Sequence, residues 1–164
     1  MISLTVHAAL GLAVIGWIVA SNRAVFSRPA DGPWLSALEC VYYVVGIASI
    51  ALGWYFNIRF VRENATGGGN LVHGPGSYPN FIRLQFANPA AGSAAEDYLI
   101  ANVILLPLFS IVDGYRRGLR RPWLYFLSSF FTSFSFPLAF YFATIERQRR
   151  HASSSRLPTT AVGA

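Results

Sequence analysis

Apolar residues gather into four runs along this chain, separated by stretches rich in glycine, proline or arginine. The first is Leu4 to Ala20, the second Leu35 to Phe60, the third Tyr98 to Val112 and the fourth Trp123 to Ile145. A hydrocarbon layer about 30 Å thick needs roughly 20 helical residues to cross it. The third and fourth runs meet that length once their flanks are included, and the ten-residue turn Asp113–Pro122 between them is too short for a domain. The pattern predicts an all-α integral membrane protein, a four-helix transmembrane bundle with spans at about 3–21, 35–60, 97–114 and 122–146. A long glycine-rich loop at 64–96 joins spans two and three and carries a short interfacial helix. Residues 151–164, with their Ser, Thr and Pro, read as a disordered tail behind a membrane domain at 1–150.

Within the runs, polar and small residues recur at helical spacing. Ala9, Ala13, Gly16 and Ala20 share one face of the first span, where small side chains let membrane helices approach closely. No basic residue precedes Arg23, so the run lacks the n-region of a cleaved leader and is expected to be retained. In span two, Glu39, Tyr42, Gly46, Ser49, Gly53 and Asn57 form a stripe that should face the bundle. Ser36 and Glu39 make a capping-box pattern. Glu39 is therefore read first as a cap, and second as an intramembrane carboxylate with a function.

The 64–96 segment opens with Gly67-Gly68-Gly69, a flexible connector without the lysine and strand–helix context of a phosphate loop. Phe81, Ile82, Leu84 and Phe86 surround Arg83 and Gln85, as in a helix lying on a bilayer or a turn packed against the spans. Asn88-Pro89 ends that patch, and Ser93 with Glu96 predicts a cap for span three.

In span three, Asn102, Leu106, Phe109 and Asp113 share a face. Asn102 is expected to hydrogen-bond across helices for about 1 kcal/mol. Pro107 should kink the helix, and Asp113 can pair with Arg116 or Arg117 one turn on. In span four, Ser128, Thr132 and Ser135 fall on one side, and Phe126, Phe130, Phe134 and Tyr141 on the other. Hydroxyls inward and rings toward lipid is the expected arrangement.

Composition sharpens this picture. The chain is 54% apolar and only 12% charged, and all thirteen of its basic residues are arginine, with a net charge of +6. Arginines beside apolar runs point to anionic lipid headgroups. Nucleic acid is excluded as a partner, because no basic and aromatic surface remains once the spans are removed. The turn arginines Arg116, Arg117, Arg120 and Arg121 are the candidate headgroup contacts. The lone Cys40 excludes an intrachain disulfide and a multi-cysteine metal site. His73 has no second ligand nearby, and His7 and His151 are not poised as bases. No metal or cofactor is expected. The basic residues divide almost evenly between the two sides of a four-span topology, which would place both termini together, so orientation stays open.

From roughly Gly53 to Arg147 the chain resembles the small multi-spanning membrane proteins grouped as domain of unknown function 2834. The marks are Trp54-Tyr-Phe-Asn57, Phe86-Ala-Asn-Pro89 with Ser93 and Asp97 after it, and Gly114-Tyr-Arg-Arg-Gly-Leu-Arg-Arg121 before Trp123 and Tyr125. Asn88, Pro89, Asp97 and Trp123 are the motif residues singled out. A glycine-rich insertion at 65–76 and an extra N-terminal span set this chain apart. The resemblance implies a fold and no mechanism.

Three functions follow from these features. The first is a non-catalytic accessory or structural subunit, with a membrane-protein partner or a second copy of the chain. The second is a small carrier whose path is lined by Glu39, Asn57, Asn102, Asp113 and the span-four hydroxyls. The third is an intramembrane enzyme acting on lipid or isoprenoid substrates. The location expected for all three is a membrane, the plasma membrane in a bacterium.

Overall fold

A computed structural model describes residues 2–65 and 72–154, and among these every regular element is helical. The triple glycine at 67–69 and the tail from residue 155 lie outside the described residues. Helix α1 spans Ile2–Ser21 and α2 is the single turn Arg23–Phe26. Helix α3, Ala37–Asn64, is 28 residues long and starts at the predicted capping box. The Ser36 hydroxyl accepts from the Glu39 N–H, and the Glu39 carboxylate accepts from the Ser36 N–H at 2.7 Å. Helix α4 spans Tyr78–Gln85, α5 Pro89–Leu99, α6 Leu106–Arg116, α7 Trp123–Ser129 and α8 Ser135–Ser154.

The fourth apolar run departs most from expectation, because 122–146 is not one helix. Two turns of α7 cover about 10 Å at 1.5 Å per residue. The chain then leaves regular helix at Phe130–Phe134, and α8 runs back beside α7. Cross-hairpin pairs fix the direction of return. The Tyr125 hydroxyl donates to Thr144 Oγ1 at 2.8 Å, and the Tyr125 and Tyr141 rings meet edge-on at 5.1 Å. Past them, Gln148 Nε2 donates to the Arg117 carbonyl, just before α7 begins. A continuous helix would have carried Gln148 about 37 Å from Trp123.

Local chemistry makes this reversal. A helix C-terminus leaves carbonyls without partners, and here side-chain hydroxyls supply them. Ser128 Oγ donates to Tyr125 O, Ser129 Oγ to Phe126 O and Thr132 Oγ1 to Ser128 O, each at 2.7 Å. Ser133 Oγ then accepts from the Phe136 N–H and opens α8, with Pro137 in its first turn, where a missing N–H costs nothing. The hairpin tip is pinned to α3 by Ser49 Oγ···Ser133 Oγ at 2.7 Å and by Trp54 Nε1 donating to Thr132 O at 3.0 Å.

The long helices pack around this hairpin. Helix α1 lies on α7, α3 lies antiparallel on α8, and α6 touches both legs. Leu124, Tyr125, Phe136, Phe140 and Tyr141 of the hairpin form the core with Val14, Ile18 and Leu119. Gly46 lets α3 close on α8, since a Cβ there would stand 3.1 Å from the Phe136 ring. Helix α1 buries Gly11, Val14 and Ile18, and Asn22 just past its end is buried with them. The expected packing face of Ala9, Ala13, Gly16 and Ala20 is the exposed one, and Gly16 has nothing near it.

Because α8 doubles back, the C-terminal end of α8 lies with the 113–122 turn, at the opposite end of the bundle from the start of α1. A four-span reading expects these two described helix ends together, and the structure sets them apart. That basic end gathers Arg23, Arg28, Arg116, Arg117, Arg120, Arg121, Arg147, Arg149 and Arg150, and leaves Arg59, Arg62 and Arg83 at the other.

Three further expectations change. Span three starts earlier than Asp97, because Asn88 is the cap of α5: its Oδ1 accepts from the Ala91 N–H, Pro89 follows at the first position, and Ser93 lies inside the helix. Ahead of Pro107, Ile100–Leu105 forms a π-helical segment joining α5 to α6, with the Leu106 N–H reaching back to Ala101 O. Residues 151–154, assigned to the tail, continue α8. The 78–85 patch is helical, with Phe81 packed edge-on against Phe60 of α3 at 5.2 Å.

Candidate functional site

The densest polar cluster sits at the basic end, around Arg147. All five guanidinium N–H donors are used. Nε donates to Val25 O, Nη2 to Phe26 O and Ser27 O, and Nη1 to Trp34 O and to Glu39 Oε1, the last at 2.8 Å. Arg150 binds the other carboxylate oxygen of Glu39 and the Pro33 and Trp34 carbonyls. Glu39 is 0% and Arg147 2% exposed, so this is a sealed ion pair. Glu39 is thus both cap and counter-ion: it holds the 23–36 connection and the end of α8 to the start of α3. His151 Nε2 adds a contact to Val25 O at 3.1 Å. Arg147 was not among the residues expected to matter. Its only signal in the sequence was a basic residue at the end of an apolar run.

A second cluster joins α6 to α8. Asp113 Oδ2 accepts from Arg117 Nε at 2.6 Å and from the Tyr141 hydroxyl at 2.8 Å. The pairing within α6 is therefore with Arg117, and the Asp113 carboxylate holds that guanidinium above its ordinary pKa. Tyr141, expected to face outward, is fully buried.

The 113–122 turn is built to a strict geometry. The Leu119 N–H bonds to Gly114 O and the Gly118 N–H to Tyr115 O, the paired closure of a Schellman motif with Gly118 left-handed at φ 72°. Leu119 is buried as the hydrophobic member of that motif. Gly114 has no room for a side chain, because a Cβ would overlap Pro122. Arg121 takes φ 56°, unusual for a residue with a side chain. Asn22 reads the turn from α1: its Oδ1 accepts from the Arg120 N–H at 2.8 Å and its Nδ2 donates to Arg120 O at 3.1 Å.

The remaining candidates are dispersed. Asn57 is exposed on α3, and Ser135 is exposed at the start of α8, since the wheel relating it to Ser128 does not survive the break. Ser128 is buried and Thr132 partly so, both spent on backbone carbonyls. Asn102 donates to Tyr98 O of its own helical turn at 2.9 Å, not across helices. Asp97 is exposed on α5 and Trp123 opens α7, its ring edge-on to Trp17 at 5.8 Å. Arg116 and Arg120 are exposed beside Arg117 and Arg121. Among the described residues, no group of three or more His, Cys, Asp or Glu could hold a metal ion.

A family model described as protein of unknown function DUF2834 matches residues 41–147, and the chain belongs to that family. The matched region starts inside α3, earlier than Gly53, and runs to Arg147, so it holds α4 to α7, the reversal and most of α8, while α1 and Glu39 lie before it. No curated protein and no solved structure matches the chain.

Proposed function

We propose that this protein is a non-catalytic accessory subunit of a membrane. In this reading α1, α3 and the α5–α6 rod cross the bilayer, while the α7–α8 hairpin enters from the basic end and returns to it. The observation that carries the reading is the contrast between outside and inside. Helices Ala37–Asn64 and Pro89–Arg116 are long and apolar enough to cross a membrane, yet only 11% and 17% of their most apolar windows are buried. The core helix of a soluble protein would be mostly covered. Val41, Val44, Ile47, Leu52 and Phe56 of α3, and Ile104, Leu105 and Leu108 of the rod, are exposed. Soluble monomers rarely leave apolar patches larger than a few hundred Å² in water.

Against a carrier or an enzyme stands the use of the interior polar groups. Glu39, Arg147, Ser128 and Thr144 are bonded to one another or to backbone, and Asn57 lies outside the bundle. They support helix packing and line no continuous route. The irregular backbone at Phe130–Phe134 fits a bilayer because it is held against protein, with its polar groups bonded to α3 and to the hairpin itself. Among the described residues nine arginines lie at one end and three at the other, and the positive-inside rule favours the basic end as the cytoplasmic one.

Alkaline carbonate extraction followed by crosslinking in native membranes tests the proposal. Retention in the pellet with a stoichiometric crosslinked protein supports it. Release into the supernatant overturns the membrane reading, and solute or proton flux through vesicles holding the purified protein overturns the accessory reading.

A further inference from the structure

Between the end of α1 and the 113–122 turn lies an open cleft of about 610 Å³, lined by Trp17, Ala20, Ser21, Tyr115, Leu119, Arg120 and Arg121. Trp17, Ala20 and Leu119 give it apolar lining, and Ser21, Tyr115, Arg120 and Arg121 give it hydrogen-bond donors, with no carboxylate among the lining residues. Arg117, Arg147, Arg149 and Arg150 each have an acidic partner, whereas among the described residues no ion pair reaches Arg120 or Arg121. Two arginines without an acidic partner therefore line one concavity, and Arg120 also lines the smaller cleft beside it.

Their positions are built, not incidental. The Arg121 guanidinium lies 5.3 Å from the centre of the Trp17 ring, and its Nη1 is 3.4 Å from Ser21 Oγ. A guanidinium held over an indole at this distance makes a cation–π contact, and of its N–H groups only Nη1 has a hydrogen-bond partner among the described residues. The left-handed backbone at Arg121 aims the side chain across the cleft toward α1, a strained conformation that the surrounding contacts hold. Arg120 is fixed from below, since Asn22 holds both its N–H and its carbonyl. Trp17 and Trp123 stand edge-on at the margin, the side-chain type that favours the headgroup level of a bilayer.

We propose that this cleft binds a phosphate ester, its oxygens taken by Arg120 and Arg121 with the Ser21 and Tyr115 hydroxyls as further donors. Guanidinium forks suit phosphate oxygens, and Trp17 and Leu119 offer an apolar wall to the organic part of the ligand. The same chemistry is presented by an anionic phospholipid headgroup and by a soluble phosphate. The lipid source rests on the membrane reading above, while the binding chemistry does not.

The test is titration of the full-length protein, in a neutral maltoside detergent, with dihexanoyl phosphatidylglycerol, dihexanoyl phosphatidylcholine and inorganic phosphate, read by native mass spectrometry. Arg120→Gln with Arg121→Gln removes both cations. Arg28→Gln with Arg116→Gln removes the same charge from the same end, outside the cleft. Losing charge-assisted hydrogen bonds should weaken phosphatidylglycerol binding about tenfold or more in the first variant and by about twofold or less in the second. Arg120→Gln alone, whose backbone stays held by Asn22, should weaken binding about fivefold with an unchanged unfolding temperature, which separates ligand loss from misfolding. Equal loss in both double variants, or no loss in either, overturns the site. Preference for phosphatidylglycerol that inorganic phosphate does not compete away identifies a lipid ligand; full competition by inorganic phosphate identifies a soluble one. Because these probes are monomeric, the outcome stands even if carbonate extraction releases the protein.

Discussion

Asn22, just past the end of α1, and Arg120 in the 113–122 turn are joined as two backbone strands would be, with the side-chain amide of one taking both the N–H and the C=O of the other. Asn22 is 7% exposed, and its Nδ2 also donates to Ile18 O. The end of α1 is thereby fixed to a turn ninety-eight residues away. Asn22→Leu should lower stability by about 2 kcal/mol, because both polar groups of Arg120 lose a partner. Asn22→Asp keeps the acceptor and loses the donor, so it should fall between Leu and the native residue. Thermal unfolding in detergent gives the order, and an unshifted Asn22→Leu would refute the role assigned to this amide.

Removing Glu39 strands the buried charge of Arg147, whereas removing Arg147 leaves Glu39 its pair with Arg150. Glu39→Leu should destabilise the protein by about 3 kcal/mol or more, and Arg147→Leu by less. Glu39→Leu combined with Arg147→Leu should cost less than the two single changes added together. Denaturant melts of the native protein, the two single variants and the double form the cycle, and strict additivity would mean that the contact carries no coupling.

Gly114→Ala should cost about 2 kcal/mol, because overlap with Pro122 forces α6 away from the start of α7. Gly118→Ala adds strain at φ 72° with open space around it, so its penalty should be about 1 kcal/mol. The two melts must come in that order.

The hairpin makes a topological prediction. With Cys40 replaced by serine, single cysteines introduced by Ala24→Cys, Arg116→Cys and Ser153→Cys should react with an impermeant maleimide from one side of sealed vesicles, and Pro75→Cys only from the other. If Ser153→Cys labels with Pro75→Cys, the fourth run crosses and the hairpin is wrong.

Residue spacing was enough to locate most of the helical segments and several of their boundaries. The Ser36–Glu39 box forms as its spacing implies, and the face carrying Glu39, Gly46 and Ser49 is the one that meets α8. Caps, proline positions and 3.6-residue periodicity are local, so they can be read without knowing the fold. Even part of the hairpin was written locally. Ser133 three residues before Phe136, with Pro137 behind it, is a helix-start signal.

What the chain order left undecided was direction. A leg that turns back and a leg that continues are equally apolar, so hydropathy is blind to the difference. Local hydroxyls end α7, but the returning leg is held in place by Ser49 and Trp54 reaching Ser133 and Thr132 from α3, contacts between residues about eighty positions apart. The partner of Glu39 was hidden for the same reason, since Arg147 meets it only after α8 has come back. Sequence determined the helical character of the chain, the capping box of α3 and the face of α3 that packs. Tertiary structure decided which end each helix reaches, because that is set by long-range hydrogen bonds and packing that no local period encodes.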